Sequence, residues 1–132
     1  MITSRMLKII AIGTLSVSVA IGLFANVHGL EPTFETQIWP ILEKHCLKCH
    51  GEKQAYSNLR LDSPAAIHQG GDLGEVLVPG DPEASEIYRR TALPTDDLDY
   101  MPVDSEPLNK DELKRLHNWI AAGADFGSWS GL

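Results

Sequence analysis

Cys46-Leu47-Lys48-Cys49-His50 sets two thiols three residues apart and an imidazole directly after the second. Residues three apart on a helical turn project to the same side, so one flat partner can meet both thiols with the imidazole beneath it. Immediately upstream, residues 33–45 carry apolar side chains at Phe34, Ile38, Ile41 and Leu42. That i, i+4, i+7, i+8 stripe predicts an amphipathic helix running straight into the cysteines. Pro40 interrupts the pattern. Because proline lacks the N–H that an interior turn needs, it must either bend the helix or lie in its first turn.

Downstream, residues 51–77 show no sustained period apart from a short helix expected at 64–68, and read as loop. Val78-Pro79-Gly80-Asp81-Pro82 is turn chemistry. Residues 83–91 then predict a two-turn helix, with acids at its start and Arg89 and Arg90 at its end, complementing the helix dipole. The proline- and acid-rich stretch 94–107, which contains Met101, predicts a structured loop. Beyond it, Asn109 and Glu112 form a capping box, Leu108 and Leu113 a hydrophobic staple, and Gly123 a stop. The apolar face of this last helix is Leu113, Leu116, Trp119 and Ile120. It should bury itself against Phe34, Ile38 and Leu42, since each stripe needs a partner. No strand-like alternation exceeds four residues, so the expected fold class is all-α with long structured loops.

The chain has 132 residues, 43% of them hydrophobic and 22% charged, which fits one globular domain. Its net charge of −7 excludes a role built on a basic nucleic-acid footprint. At the N-terminus, Arg5 and Lys8 precede an apolar run over residues 9–25, the pattern of an export signal. Cleavage after Gly29, or after Ala25, leaves an exported domain over residues 30–132. Loss of the two basic residues takes the charge from −7 to −9. If uncleaved, residues 9–25 would instead anchor the chain to the inner membrane, with the domain in the periplasm. No cysteine lies near the run, so there is no attachment point for a bacterial lipid anchor.

In an exported chain, C-x-x-C-H reads as covalent attachment of one c-type haem. Cys46 and Cys49 match the two vinyl groups on one porphyrin edge, and His50 supplies a nitrogen ligand to the iron. Other readings are weaker. A Cys46–Cys49 disulfide closes a loop too short to stabilise much, and a thioredoxin-type dithiol needs a βαβ setting. A zinc site would need four ligands from His45, Cys46, Cys49 and His50, and adjacent residues point about 100° apart on a helix. For the sixth iron position the candidates are Met101, His45, His68 and His117. Met101 is favoured, because a thioether in an otherwise polar, acidic loop has little reason to be core filler and is a soft donor that stabilises ferrous iron. His45 is expected to face outward or toward a backbone carbonyl, and His68 and His117 to be surface or half-buried residues. Arg60, Arg89 and Arg90 are the basic residues available to haem propionates.

Several stretches can then be named together: Phe34, Trp39-Pro40-Ile41-Leu42, His45 to Gly51, Leu59-Arg60-Leu61-Asp62, Val78 to Pro82, Ser85 and Tyr88-Arg89-Arg90. They continue with Met101-Pro102, Leu108, Glu112-Leu113, Leu116 and Trp119 to Ala124. This pattern resembles the planctomycete-type cytochrome c domain, a branch of the class I cytochromes c. The resemblance implies one covalently bound haem, axial ligands at His50 and Met101, and a small helical fold whose first and last helices cross near the haem edge.

The expected function is that of an electron carrier, not an enzyme, passing single electrons between redox partner proteins. The alternative is a haem sensor in which a diatomic ligand displaces the methionine. Asp96, Asp97, Asp99, Asp104 and Glu106 surround Met101, and as a docking rim they would favour a partner with a basic patch.

Overall fold

The computed structural model describes residues 33–132, so the apolar run at 9–25 and the expected cleavage positions lie outside the described residues. Five α-helices follow one another: α1 (Phe34–Gln37), α2 (Trp39–His45), α3 (Pro64–Gln69), α4 (Glu86–Ala92) and α5 (Lys110–Ala121). A 3₁₀ turn spans Tyr56–Asn58. Among the described residues there is no strand, only the isolated bridges His50–Ala55 and Gly71–Gly74. None of these helices is long and apolar enough to cross a membrane.

The helix expected over 33–45 is realised in two pieces. Thr33 caps α1, the chain turns at Ile38, and Pro40 lies in the first turn of α2, where its missing N–H costs nothing. The interruption leaves the apolar stripe intact, because Phe34, Ile38, Ile41 and Leu42 are all buried.

The helix expected at 83–91 begins three residues later, at Glu86. Ser85 precedes it without capping it. Its fully buried hydroxyl accepts from the Val78 N–H at 2.9 Å and faces the Asp81 carbonyl at 2.8 Å, so it is spent on closing the Val78–Pro82 turn. That turn docks in its own right, as the Gly80 N–H donates at 2.8 Å to the Ile120 carbonyl, which also accepts the Gly123 N–H at 2.9 Å where α5 ends. The capping box of α5 forms as expected: Asn109 Oδ1 accepts from the N–H groups of Asp111 and Glu112, and Glu112 accepts from the Asn109 N–H at 2.8 Å.

Leu116 and Ile120 are buried in one core with Phe34, Ile38, Ile41 and Leu42, while Leu113 and Trp119 pack against it half-buried. Phe34 is the hub. Its ring lies 5.3 Å from Trp119, 5.0 Å from Phe126 and 4.6 Å from Trp129. The last two belong to the tail beyond Gly123, which returns across the molecule until the Leu132 N–H donates to the Asp62 carbonyl at 3.0 Å. The first and last helices therefore meet through an aromatic cluster, with the tail closing over it.

Candidate functional site

Between the cysteine segment, the 70s loop, α4 and the loop after it lies a cleft of about 430 Å³. Leu59, Leu61, Val76 and Ile87 give it apolar walls, and Cys46, Cys49, His50 and Met101 all line it.

The proximal side is built from nearly continuous chain. After α2 the backbone makes tight turns, with the His50 and Cys49 N–H groups both donating to the Cys46 carbonyl at 2.9 and 3.1 Å. The Leu61 N–H then donates to the His50 carbonyl at 2.8 Å, fixing the backbone that carries the imidazole. Gly51 follows with Leu47 packed against it: a Cβ there would stand 2.6 Å from the Leu47 carbonyl oxygen.

Cys46 and Cys49 are not joined in a disulfide. Burial, with the neighbouring Cys49 adding to it, pushes the Cys46 thiol up to about 12. At neutral pH it is therefore a thiol rather than a reactive thiolate, which disfavours the redox-dithiol reading. Burial also holds the His50 imidazole below its ordinary pKa, an effect that the nearby backbone of Leu59 and Tyr56 offsets in part. It is thus neutral at pH 7, as a metal ligand must be. Its Nδ1 is buried with no hydrogen-bond partner, so the residue is not committed to another polar contact of the protein at that atom.

Of the remaining histidines among the described residues, one lines the cleft and two do not. His45 lines the cleft, but its Nδ1 donates to the Glu106 carbonyl at 2.9 Å and its Nε2 sits 3.3 Å from Glu112 Oε1. Of the two orientations expected for it, the one toward a backbone carbonyl is found. Burial raises the Glu112 carboxyl, but the Asn109 backbone, His45 and Lys44 together draw it below the usual carboxylate range. His68 is exposed beside the Phe126 ring, and His117 packs edge-on against Tyr88 at 5.2 Å. Neither lines the cleft. No group of three or more His, Cys, Asp or Glu side chains among the described residues is arranged to hold a metal ion. The four zinc candidates do not converge as a tetrahedral site requires.

On the distal side, Met101 is half-buried between buried Tyr100 and buried Pro102, and its N–H donates to the Arg90 carbonyl at 3.1 Å. Of the three arginines considered for propionates, only Arg90 lines the cleft, and its guanidinium is paired with Glu86 and Asp99. Arg60 is bound to buried Asp62 at 2.7 Å outside it, and Arg89 to Glu86.

Residues 46–104 match the family model described as Planctomycete cytochrome C. That segment belongs to the planctomycete cytochrome c family. No curated protein and no solved structure gives a significant match to the chain. The matched segment starts at the first cysteine and ends three residues past Met101, so it contains both thiols, His50, Met101 and the cleft walls between them. A cytochrome c family points to haem c as cofactor and to electron carriage rather than enzymatic turnover, in keeping with the C-x-x-C spacing of Cys46 and Cys49.

Sequence reasoning did not find the cleft's far wall. Val76 stands in a stretch read as loop and Ile87 in a helix read from its end charges, and they are brought together by the Ile87 N–H donating to the Val76 carbonyl at 3.0 Å, a pairing no local pattern signals. The role of Ser85 was missed for a similar reason: a serine before a helix reads as a cap, and only the fold shows its hydroxyl turned back into the preceding turn.

Proposed function

We propose that this chain is an exported monohaem c-type cytochrome that carries single electrons between redox partner proteins. Cys46 and Cys49 would hold the haem covalently, and His50 and Met101 would bind its iron. The bound haem supplies a one-electron ferric/ferrous couple. The reading rests on one observation: two thiols, a neutral imidazole and a thioether, drawn from positions as far apart as Cys46 and Met101, line the same apolar cleft.

Each residue contributes a distinct property. Leu59, Leu61, Val76 and Ile87 keep water from a flat apolar ligand, which favours the less charged ferrous state. The Met101 thioether favours it further. Tyr100 and Pro102, buried on either side, and the Arg90 carbonyl restrain Met101. Such restraint suits a carrier better than a sensor that must release its ligand. The exposed acids around Met101 suit a partner with a basic patch, with encounter weakened by salt. Residues 1–29 are the signal in this reading, with 9–25 as an inner-membrane anchor if cleavage does not occur.

The test is Met101→Ala in protein matured by a host that attaches haem. The variant should keep covalent haem, lose the methionine-to-iron charge-transfer band at the red end of the ferric spectrum, lower the reduction potential and open the iron to added ligands. A wild type that lacks the band overturns the axial assignment and favours a second histidine.

A further inference from the structure

We propose that Arg90 is a positioning residue for Met101, an inference that rests on the Met101 ligation proposed above. Residues 94–99 are exposed throughout, and the loop is braced mainly by its own short-range bonds, in which Asp97 accepts from the N–H groups of Asp99 and Tyr100. Left to these alone, the segment leading into Met101 has no fixed relation to the cleft.

Arg90 supplies that relation at two points. Its carbonyl, among the last four of α4 and so without a helical partner, accepts the Met101 N–H at 3.1 Å. Its guanidinium reaches Asp99, with Nη1 3.3 Å from Oδ1, two residues before the proposed ligand. The same guanidinium is oriented from behind by Glu86, whose Oε2 accepts from Nε at 2.7 Å one helical turn earlier. Glu86 also binds Arg89 in a two-pronged contact at 2.7 and 2.8 Å, which fixes the carboxylate itself.

The chain Arg89–Glu86–Arg90–Asp99 thus runs from the helix surface to the ligand loop. Glu86 and Arg90 also line the cleft. The Arg90 side chain is about one-quarter exposed and Glu86 about one-third, so that pair is the less screened of the two, while Asp99 is 60% exposed and its pair faces solvent. Removing it frees the Asp99 end of the loop while leaving the backbone bond to Met101 in place.

The experiment uses full-length protein matured with haem and imidazole as the probe, titrated into the ferric form. Imidazole enters only when Met101 has left the iron, so its apparent affinity scales with the fraction of molecules in which the loop is released. Arg90→Gln is expected to raise that affinity about tenfold, and Asp99→Asn, which removes the charge of the loop-side pair but leaves the carbonyl of residue 99 at 3.5 Å from Arg90 Nη1, about threefold. Arg90→Lys should lie closer to wild type than Arg90→Gln, because it returns a charge toward Asp99. Loss of general stability alone does not produce this order at a temperature where all variants are folded. Wild-type imidazole affinity in both Arg90→Gln and Asp99→Asn, with the methionine band intact, overturns the role of Arg90 and leaves Met101 ligation standing. A wild type without the band overturns Met101 ligation and this proposal with it. If Arg90→Gln does not fold, Asp99→Asn decides alone, since the side chain there is 60% exposed and its substitution should leave stability nearly unchanged.

Discussion

The segment bearing Cys46, Cys49 and His50 and the loop bearing Met101 face one cleft, but they are held by different means. The first is continuous with α2, its backbone groups bond to residues three to eleven positions away, and the helix beneath it is sunk in the aromatic core. The second is an excursion between α4 and α5, exposed over residues 94–99 and 103–107 and buried only at Tyr100 and Pro102, and it is tied down by Arg90 on one side and by the bond from His45 to the Glu106 carbonyl on the other. A rigid donor set on one side and a strapped donor on the other let the protein keep its haem permanently while the sixth ligand is set by a few tertiary contacts.

If that contrast is right, truncations on the two sides should differ sharply. Phe34→Ala, in the core that Ile41 and Leu42 of α2 share, removes contacts to three aromatic rings and should cost about 3–5 kcal/mol in denaturant unfolding. A loss below about 1 kcal/mol would mean that the aromatic cluster does not seat that side.

Gly51→Ala comes next. The added methyl would meet the Leu47 carbonyl oxygen at 2.6 Å, and that oxygen belongs to the turn carrying both cysteines, so it cannot move without shifting the thiols. The expected cost is about 1–3 kcal/mol, with less haem attached during maturation. Full attachment at wild-type stability would show that the turn is softer than its packing implies.

The junction between the two regions should be sensitive to acid. Glu112, which faces His45 and Lys44, and Glu86, which faces Arg89 and Arg90, both have carboxyl groups held below the ordinary carboxylate value of 4.5. Folding therefore favours their ionised forms. Their contribution is complete above about pH 4.5 and is lost as the pH falls through the lowered folded values. Glu112→Gln should flatten the decline of unfolding free energy on the acid side, and an unchanged acid limb would remove Glu112 from the account. The smallest effect belongs to the loop: Leu98→Ala, at a fully exposed position, should change stability by no more than about 0.5 kcal/mol. A larger loss would show that the loop has packing the structure does not give it.

The same contrast explains what could be read from the sequence. The proximal donors, the α5 capping box and the apolar stripes of α2 and α5 are local patterns, in which identity and spacing carry the geometry. Met101 could be singled out by its chemistry, as a thioether in a polar loop, and the family resemblance pointed to it as well. What holds it could not be read. Arg90 looks like an ordinary helix-end base, and its carbonyl carries no sequence signal. Phe126 and Trp129 lie beyond the helix stop at Gly123, where no period assigns them a face, yet the tail folds them onto Phe34. The start of α4 was displaced for the same kind of reason, because Ser85 serves the turn before the helix rather than the helix.

The central claim is that Cys46 and Cys49 together bind one haem. Intact-mass measurement of the exported protein, purified from a host that attaches haem, tests it most directly. The account predicts a single species with the mass of the polypeptide plus one haem, unchanged by denaturation and with neither thiol open to alkylation. Two free thiols, a Cys46–Cys49 disulfide or a mass that depends on zinc would contradict it.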